Sequence, residues 1–273
     1  MQAHGTVTTT ELLRITLQQI GRYSGRILSV MGLIWLLQMP SYFSERLLLP
    51  LDAMAMLGLP PGPVSLAAGT IVMLATYIGT TWSAVGWHRL VLLGEEPARF
   101  LPIWHTQPVL AYFIVSLLLP VVTWGPALAM AAAIGMVILK TGAPPILIAI
   151  PAFSATVFGV WLSLRLAPVQ VSRALRERVG IHGAYLRTAP LSRPLWGCAI
   201  IGALCIWILV GIIFAIRSVL IGTDGSYLHE TAIFLDAIAF LLAYFLFFII
   251  AVSGFNTVYL LPDTEDDKAE VFS

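Results

Sequence analysis

Charged residues are scarce in this chain, which excludes an ordinary soluble globular protein. Only 11% of the 273 residues are charged, 59% are hydrophobic, and the mean hydropathy is +0.90. A soluble domain carries about 25% charged residues. The formal net charge is only +1, so no strong overall basic field exists to attract nucleic acid. We therefore expect an integral membrane protein without a nucleic-acid partner.

Cysteine and histidine are rare, which leaves little material for a redox or metal centre. Cys198 and Cys205 are seven positions apart on one expected helix, about 10 Å along its axis, which is too far for a disulfide. Of the histidines only His88 stands at the end of an expected span. The chain also lacks a nucleophile elbow, a phosphate-binding loop and a zinc-protease motif. We expect no cofactor, no metal and no catalytic residues.

A basic stretch between two apolar segments sets the predicted orientation. Residues 165–193 contain six arginines and one acid, Glu177. Basic loops close to span ends stay in the cytoplasm. We therefore predict a cytoplasmic loop over 165–193, in which residues 169–186 are able to form an interfacial helix.

The apolar runs predict an all-α, polytopic fold with six transmembrane helices arranged as three hairpins. The expected spans are 27–43, 64–87, 108–128, 146–164, 195–216 and 232–254, within a transmembrane domain over 27–260. Residues 47–59 are expected to form an interfacial or re-entrant segment on the outer side. The uncharged run 129–139 either continues the third span or lies at the outer interface. Whether the three hairpins are a true internal repeat is left open.

Both termini are expected in the cytoplasm. Within residues 1–26, apolar positions three to four apart predict an amphipathic helix over 8–22 with Thr9 or Thr10 as its N-cap. This helix lies in the interface or packs on other loops, and the first span is expected to act as the insertion signal. The tail 261–273 is acidic. With this topology twelve of the fifteen Lys and Arg are cytoplasmic, and three, Arg46, Lys140 and Arg217, are outside.

Several residues on the cytoplasmic side are candidate contacts to lipid headgroups. An indole and a cation at a span end are typical of the membrane interface, and each cytoplasmic cation adds about 1 kcal/mol of attraction to anionic lipid. The candidates are Trp87, His88, Arg89, Arg173, Arg176 and Arg178.

Asp236 is the acid expected inside the hydrocarbon region, where a charge costs about 2.5 to 3.5 kcal/mol. Arg217 closes the fifth span on the same side of the membrane. We predict a structural intramembrane ion pair between Arg217 and Asp236 that fastens their hairpin. A shallow Asp236 that reaches solvent, or a proton or ion site, are the alternatives.

The nonapeptide Trp-His-Arg-Leu-Val-Leu-Leu-Gly-Glu at 87–95 resembles a group of six-span inner-membrane proteins of proteobacteria. That group is distantly similar to the membrane domain attached to some glycerophosphodiester phosphodiesterases. The spacing of the spans and the basic loop after the fourth extend the similarity over most of the chain. The family's tryptophan followed by Thr-Arg-Gly is here Ala-Tyr-Leu-Arg-Thr at 184–188. The resemblance implies a bacterial inner-membrane location and no established activity, and the phosphodiesterase domain is missing.

These features favour a non-catalytic inner-membrane protein, an accessory or scaffold that organises lipid or a larger membrane complex. Membrane lipids and other membrane-protein subunits are the expected partners. The alternative is a small-solute or lipid transporter, for which Pro120 and Gly125-Pro126 offer the one candidate for a broken helix. An enzyme acting on lipid is less favoured because acids, bases and metal ligands are not clustered in the sequence.

Overall fold

The computed structural model describes residues 7–32, 63–98, 101–142, 144–220 and 230–261. Apart from one bridge between Ala98 and Leu101, the regular structure of these residues is helical, as expected. The α-helices are α1 Thr9–Arg22, α2 Ser24–Ile27, α3 Pro63–Leu93, α4 Thr106–Lys140, α5 Ala149–Ala174, α6 Ile181–Arg187, α7 Ser192–Leu220 and α8 Glu230–Leu260. A π-helical turn, Leu28–Gly32, follows α2, and 3-10 turns Pro145–Ile148 and Ala189–Leu191 precede α5 and α7.

Four helical segments are long and apolar enough to cross a membrane: Thr106–Lys140, Ile146–Ala174, Ala189–Leu220 and Ile238–Leu260. In each, only 11 to 28% of the most apolar stretch is buried inside the protein. Apolar side chains such as Leu118 and Phe214 therefore point outwards, as they do when lipid is the surrounding medium. The chain has the features of a multi-pass membrane protein, and the number of six spans stays a prediction.

Three predicted segments lie wholly or largely outside the described residues. The first span, 27–43, is described only up to Gly32, and the outer segment 47–59 and the tail beyond Leu261 are not described.

Helix α3 is longer than the second predicted span, 64–87. Helix α3 continues past residue 87 to Leu93 because Leu90 is buried in the main core. It ends where Gly94, at φ 67°, adopts the left-handed conformation that glycine accepts without strain. Trp87, His88 and Arg89 therefore lie about one to two turns before the end of the helix.

The first part of the predicted loop 165–193 is helical. Helix α5 continues to Ala174 because its last turns are buried against neighbouring helices, including Leu166, Val169 and Val171. A turn then leads to the short helix α6. The predicted interfacial helix over 169–186 is thus divided between the end of α5 and α6.

Helix α4 is continuous through both candidate break points. Pro120 and Pro126 lie inside it, and residues 129–139 continue the same helix. Of the two alternatives for 129–139, the structure contains the helix continuation.

Helix α1 packs on the bundle. Its N-cap is Thr8, whose hydroxyl accepts a hydrogen bond from the Glu11 amide at 3.2 Å, one residue before the expected cap. Leu12 is buried with Leu195 of α7 and Val258 of α8. The apolar face of α1 therefore covers the ends of two long helices, which agrees more closely with the packed alternative than with an isolated interfacial helix.

The largest hydrophobic cluster lies near the end of α3. It contains Val30 and Met31 of the π-helical turn, Trp87 and Leu90 of α3, and Val252 of α8. Polar side chains from several helices meet beside this cluster.

Candidate functional site

Buried polar side chains from four helices meet at one end of the bundle, in what we call the polar junction. Its members are Thr16 of α1, Trp87 and His88 of α3, Tyr112 of α4, and Ser253, Asn256 and Thr257 of α8. None of these side chains is more than 4% exposed except Thr16, at 7%. Because buried polar groups are costly unless they are hydrogen-bonded, the contacts between them hold these helix ends together.

His88 is the centre of the polar junction. Its Nδ1 lies 2.6 Å from Oδ1 of Asn256, and its Nε2 lies 3.2 Å from the hydroxyl of Tyr112. An amide oxygen only accepts, so Nδ1 carries the proton and donates, while Nε2 accepts from the Tyr112 hydroxyl. A neutral imidazole therefore pairs with the Asn256 amide oxygen and with the Tyr112 hydroxyl, and it connects α3 to α4 and α8.

Two further hydrogen bonds extend the junction. The Trp87 indole N–H donates to the Ser253 hydroxyl at 3.1 Å, and the hydroxyls of Thr16 and Thr257 lie 3.0 Å apart. Bonds of this kind between helices in a membrane are worth about 1 kcal/mol each. They fix α1 and α3 to the same helix, α8.

A charged network lies beside the junction, in the loop after α3. Nε and Nη2 of Arg89 donate to Oε2 of Glu95 at 2.8 and 2.6 Å, and Nη1 donates to the Ala174 carbonyl at 3.1 Å. His105 Nε2 lies 2.5 Å from Glu95 Oε1. Partial burial acts to raise the pKa of Glu95, but the hydrogen bonds from Arg89 and His105 hold it below its usual value. Arg89 thus connects this loop to the end of α5.

Three arginines line one small cavity where α5 ends and α4 begins. Arg173, Arg176 and Arg178 surround a space of about 150 Å³ together with Glu177, Gln107 and Pro108. We call this space the arginine cavity. Glu177 also forms a hydrogen bond, because its Oε2 accepts from the Tyr259 hydroxyl.

Arg165 is buried, with 3% of its surface exposed. Its Nη2 donates to the Tyr185 carbonyl at 2.7 Å, and its guanidinium lies 3.9 Å from the centre of the Tyr185 ring and 5.5 Å from the Trp161 ring. Cation–π contacts of this kind stabilise a desolvated cation. Arg165 therefore holds α6 against α5 and is not a headgroup contact.

The structure contains an ion pair at the predicted position, at the opposite end of the bundle. Arg217 Nε lies 3.0 Å from Oδ1 and 3.1 Å from Oδ2 of Asp236. The Asp236 side chain is fully buried, whereas that of Arg217 is 41% exposed. Because the carboxylate does not reach the surface, the alternative of a shallow, solvated Asp236 is not supported.

The predicted headgroup contacts have different outcomes. The prediction is wrong for Trp87 and His88, because both are completely buried by the extension of α3. Arg89 is engaged with Glu95 and Ala174. The other three, Arg173, Arg176 and Arg178, are brought together at the arginine cavity, and their contact with headgroups stays a prediction.

Sequence reasoning missed Tyr112, Ser253 and Asn256. A signal for two of them was present, since Ser253, Asn256 and Thr257 are spaced three and four apart in an otherwise apolar helix. Polar residues at this spacing share one face and turn towards the bundle. Tyr112 had no comparable signal.

Comparison of the chain with protein-family models, with curated proteins and with solved structures finds no match. The family resemblance of residues 87–95 therefore stays a prediction. Among the described residues, no three His, Cys, Asp or Glu side chains are grouped so that they could hold a metal ion. Function has to be inferred from the geometry of the polar junction and the arginine cavity themselves.

Proposed function

We propose that the chain is a non-catalytic, multi-pass protein of the bacterial inner membrane, an accessory or scaffold that organises lipid or a larger membrane complex. The observation that carries the proposal is the polar junction, where the buried polar side chains are used to fasten helices to one another. A rigid frame with apolar outer faces is what a scaffold needs to present a constant surface to lipids or subunits.

The geometry of His88 favours a structural role over acid–base catalysis. A general base has to lie within hydrogen-bonding distance of a substrate proton. Both ring nitrogens of His88 are already engaged, with Asn256 and Tyr112, and the ring is completely buried. A substrate would have to break these bonds before it could meet the imidazole.

The continuity of α4 favours a scaffold over the alternative, a small-solute or lipid transporter. Many secondary transporters form their sites at discontinuous helices near the middle of the membrane. The candidate break, Pro120 and Gly125-Pro126, lies inside one continuous helix.

The orientation belongs to the proposal. We infer six spans in three hairpins with both termini in the cytoplasm, because the arginines at 173, 176 and 178 then lie on the cytoplasmic side, where cations of short loops are enriched. Single cysteines test this in a chain with Cys198→Ala and Cys205→Ala. A membrane-impermeant maleimide should label Lys140→Cys in intact spheroplasts, and Arg178→Cys only after the membrane is opened. Labelling of Arg178→Cys from outside would contradict the topology.

Purification of the tagged chain from native membranes in mild detergent tests the function. We expect partner subunits to co-purify at a fixed stoichiometry. A chain that purifies alone and whose unfolding temperature rises with one particular solute would favour the transporter instead. His182→Ala, a substitution at an exposed position, serves as the control. If this variant also loses its partner subunits, the loss is caused by the tag or by the purification.

A further inference from the structure

The arginine cavity has an excess of positive charge, because three arginines and one acid, Glu177, line it. Within the described part of the chain, Arg173, Arg176 and Arg178 form no ion pair. The nearby acid, Glu177, accepts the Tyr259 hydroxyl. Positive charges that line one cavity repel one another, and a bound anion reduces that repulsion.

The cavity also faces the positive end of a helix dipole. Gln107 and Pro108, in the first turn of α4, line it. The N-cap of α4, His105, makes no capping hydrogen bond through its side chain. Gln107 offers a backbone N–H in this first turn, whereas Pro108 has none. A helix N-terminus and arginines acting together favour an oxyanion.

The backbone at Arg176 is in a conformation that glycine usually occupies. Arg176 has φ 64°. Among the described residues it is the one non-glycine residue with a positive φ. The Glu177 amide donates to the Ser172 carbonyl at 2.7 Å, and the Arg176 amide donates to the Arg173 carbonyl at 3.3 Å. These two bonds form a Schellman motif, in which the left-handed position is usually glycine.

Two other helices of the same chain use glycine at this kind of position. Helices α3 and α4 are followed by Gly94 and Gly142, both at φ 67°. A side chain with a Cβ is strained in the left-handed conformation, so arginine at 176 makes the fold less stable than glycine would. Its guanidinium forms no ion pair with the described residues that would offset this strain. Because Arg176 is also exposed, its guanidinium is available to a ligand outside the protein.

We propose that the arginine cavity binds a phosphate group through Arg173, Arg176 and Arg178. At about 150 Å³, the cavity is smaller than the roughly 300 to 1,000 Å³ of sites for whole drug-sized molecules, and it suits a single tetrahedral oxyanion. Arginine matches the geometry of phosphate oxygens. The group belongs either to the headgroup of an anionic phospholipid or to a soluble phosphate compound. This inference deepens the proposed function, since it names the lipid chemistry that the scaffold would hold.

The variant Arg176→Gly separates binding from folding. Glycine removes the guanidinium and relieves the backbone strain, so the unfolding temperature should equal or exceed that of the unchanged chain. Binding of phosphate should weaken at least about tenfold, as expected for the loss of one charge-assisted contact. Arg193→Gln removes an exposed arginine outside the cavity and should leave binding unchanged.

Two titrations of the full chain distinguish the sources of phosphate. In the first, phosphatidylglycerol is added to nanodiscs of phosphatidylcholine, and retained phospholipid is counted by native mass spectrometry. In the second, inorganic phosphate is added in neutral detergent against chloride of equal ionic strength, and the unfolding temperature is followed. An effect in the first arm alone assigns a lipid headgroup, and an effect in the second assigns a soluble phosphate.

Three results would overturn the proposal. One is that neither arm shows binding, the second is that Arg176→Gly binds as tightly as the unchanged chain, and the third is that Arg193→Gln weakens binding equally. None of these measurements involves partner subunits. A chain that binds phosphate but purifies alone would therefore contradict the scaffold function and leave the phosphate site supported.

Discussion

Nδ1 of His88 lies 2.6 Å from Oδ1 of Asn256, although 168 positions separate them in the chain. The bond joins the end of α3 to the end of α8. On the other side of the ring, the Tyr112 hydroxyl of α4 is hydrogen-bonded to Nε2 of His88. Three long helices thus share one imidazole, so the stability of the bundle should depend strongly on it.

His88→Ala should destabilise the protein by roughly 2 to 6 kcal/mol. The substitution leaves the Tyr112 hydroxyl and the Asn256 amide oxygen buried without this partner, at about 1 to 3 kcal/mol for each group. The unfolding transition in mild detergent measures the effect. His182→Ala, at an exposed position on α6, should change stability by less than about 0.5 kcal/mol. Equal transitions for the two variants would contradict the pairing.

Removing one member of the buried ion pair should lower the stability of the fold more than removing both members does. Arg217→Gln leaves the Asp236 carboxylate buried without its cation, which costs about 3 to 5 kcal/mol in comparable pairs. The double variant Arg217→Gln with Asp236→Asn should recover part of this loss, because no uncompensated charge remains. Unfolding measurements on both single variants and the double variant give the coupling. If Asp236→Asn abolished a function while stability was unchanged, Asp236 would be a proton or ion site.

The Glu95 network should make stability depend on acid pH. Hydrogen bonds from Arg89 and His105 lower the pKa of Glu95 in the folded state, despite an opposing effect of burial. The stabilisation is therefore fully present above the unfolded value of about 4.3 and is lost as the pH falls through the folded pKa.

Glu95→Gln should lower stability by about 1 kcal/mol at pH 7 and flatten its dependence on pH in the acid range. Unfolding temperatures from about pH 7 down to pH 3 would show this. Glu96→Gln removes an exposed ion pair with Arg26 and should leave the acid dependence intact. If the acid dependence of stability disappeared in Glu96→Gln and persisted in Glu95→Gln, Glu96 would be its cause and the prediction for Glu95 would be contradicted.

Close packing of α4 and α5 should require glycine at 159. A Cβ built there lies 2.5 Å from Cε3 of Trp124, so the indole would have to move. We expect Gly159→Ala to cost about 1 to 3 kcal/mol, as overpacked cores do. Gly211→Ala, where a Cβ meets no atom within 4 Å, should be neutral or slightly stabilising. A Gly159→Ala variant as stable as Gly211→Ala would show that the helices separate easily.

The ends of α3 and α5 could not be predicted from the sequence alone. Scarce charge predicted four apolar helices that the structure contains, but an arginine was interpreted as the end of a span at Arg89 and at Arg165. Both side chains have partners that come from distant parts of the chain, Ala174 for Arg89 and the Tyr185 ring and carbonyl for Arg165. A helix can therefore continue past a cation when tertiary contacts satisfy it.

Composition and periodicity alone determined that this is an all-α chain with long apolar helices, because those properties depend on the residues of each segment. The Arg217–Asp236 pair was also accessible from the sequence, since a lone buried acid requires a cation at a similar depth. The polar junction and the arginine cavity were decided only by the tertiary structure. Their members lie on different helices, and their meeting depends on how those helices pack, which no local pattern records.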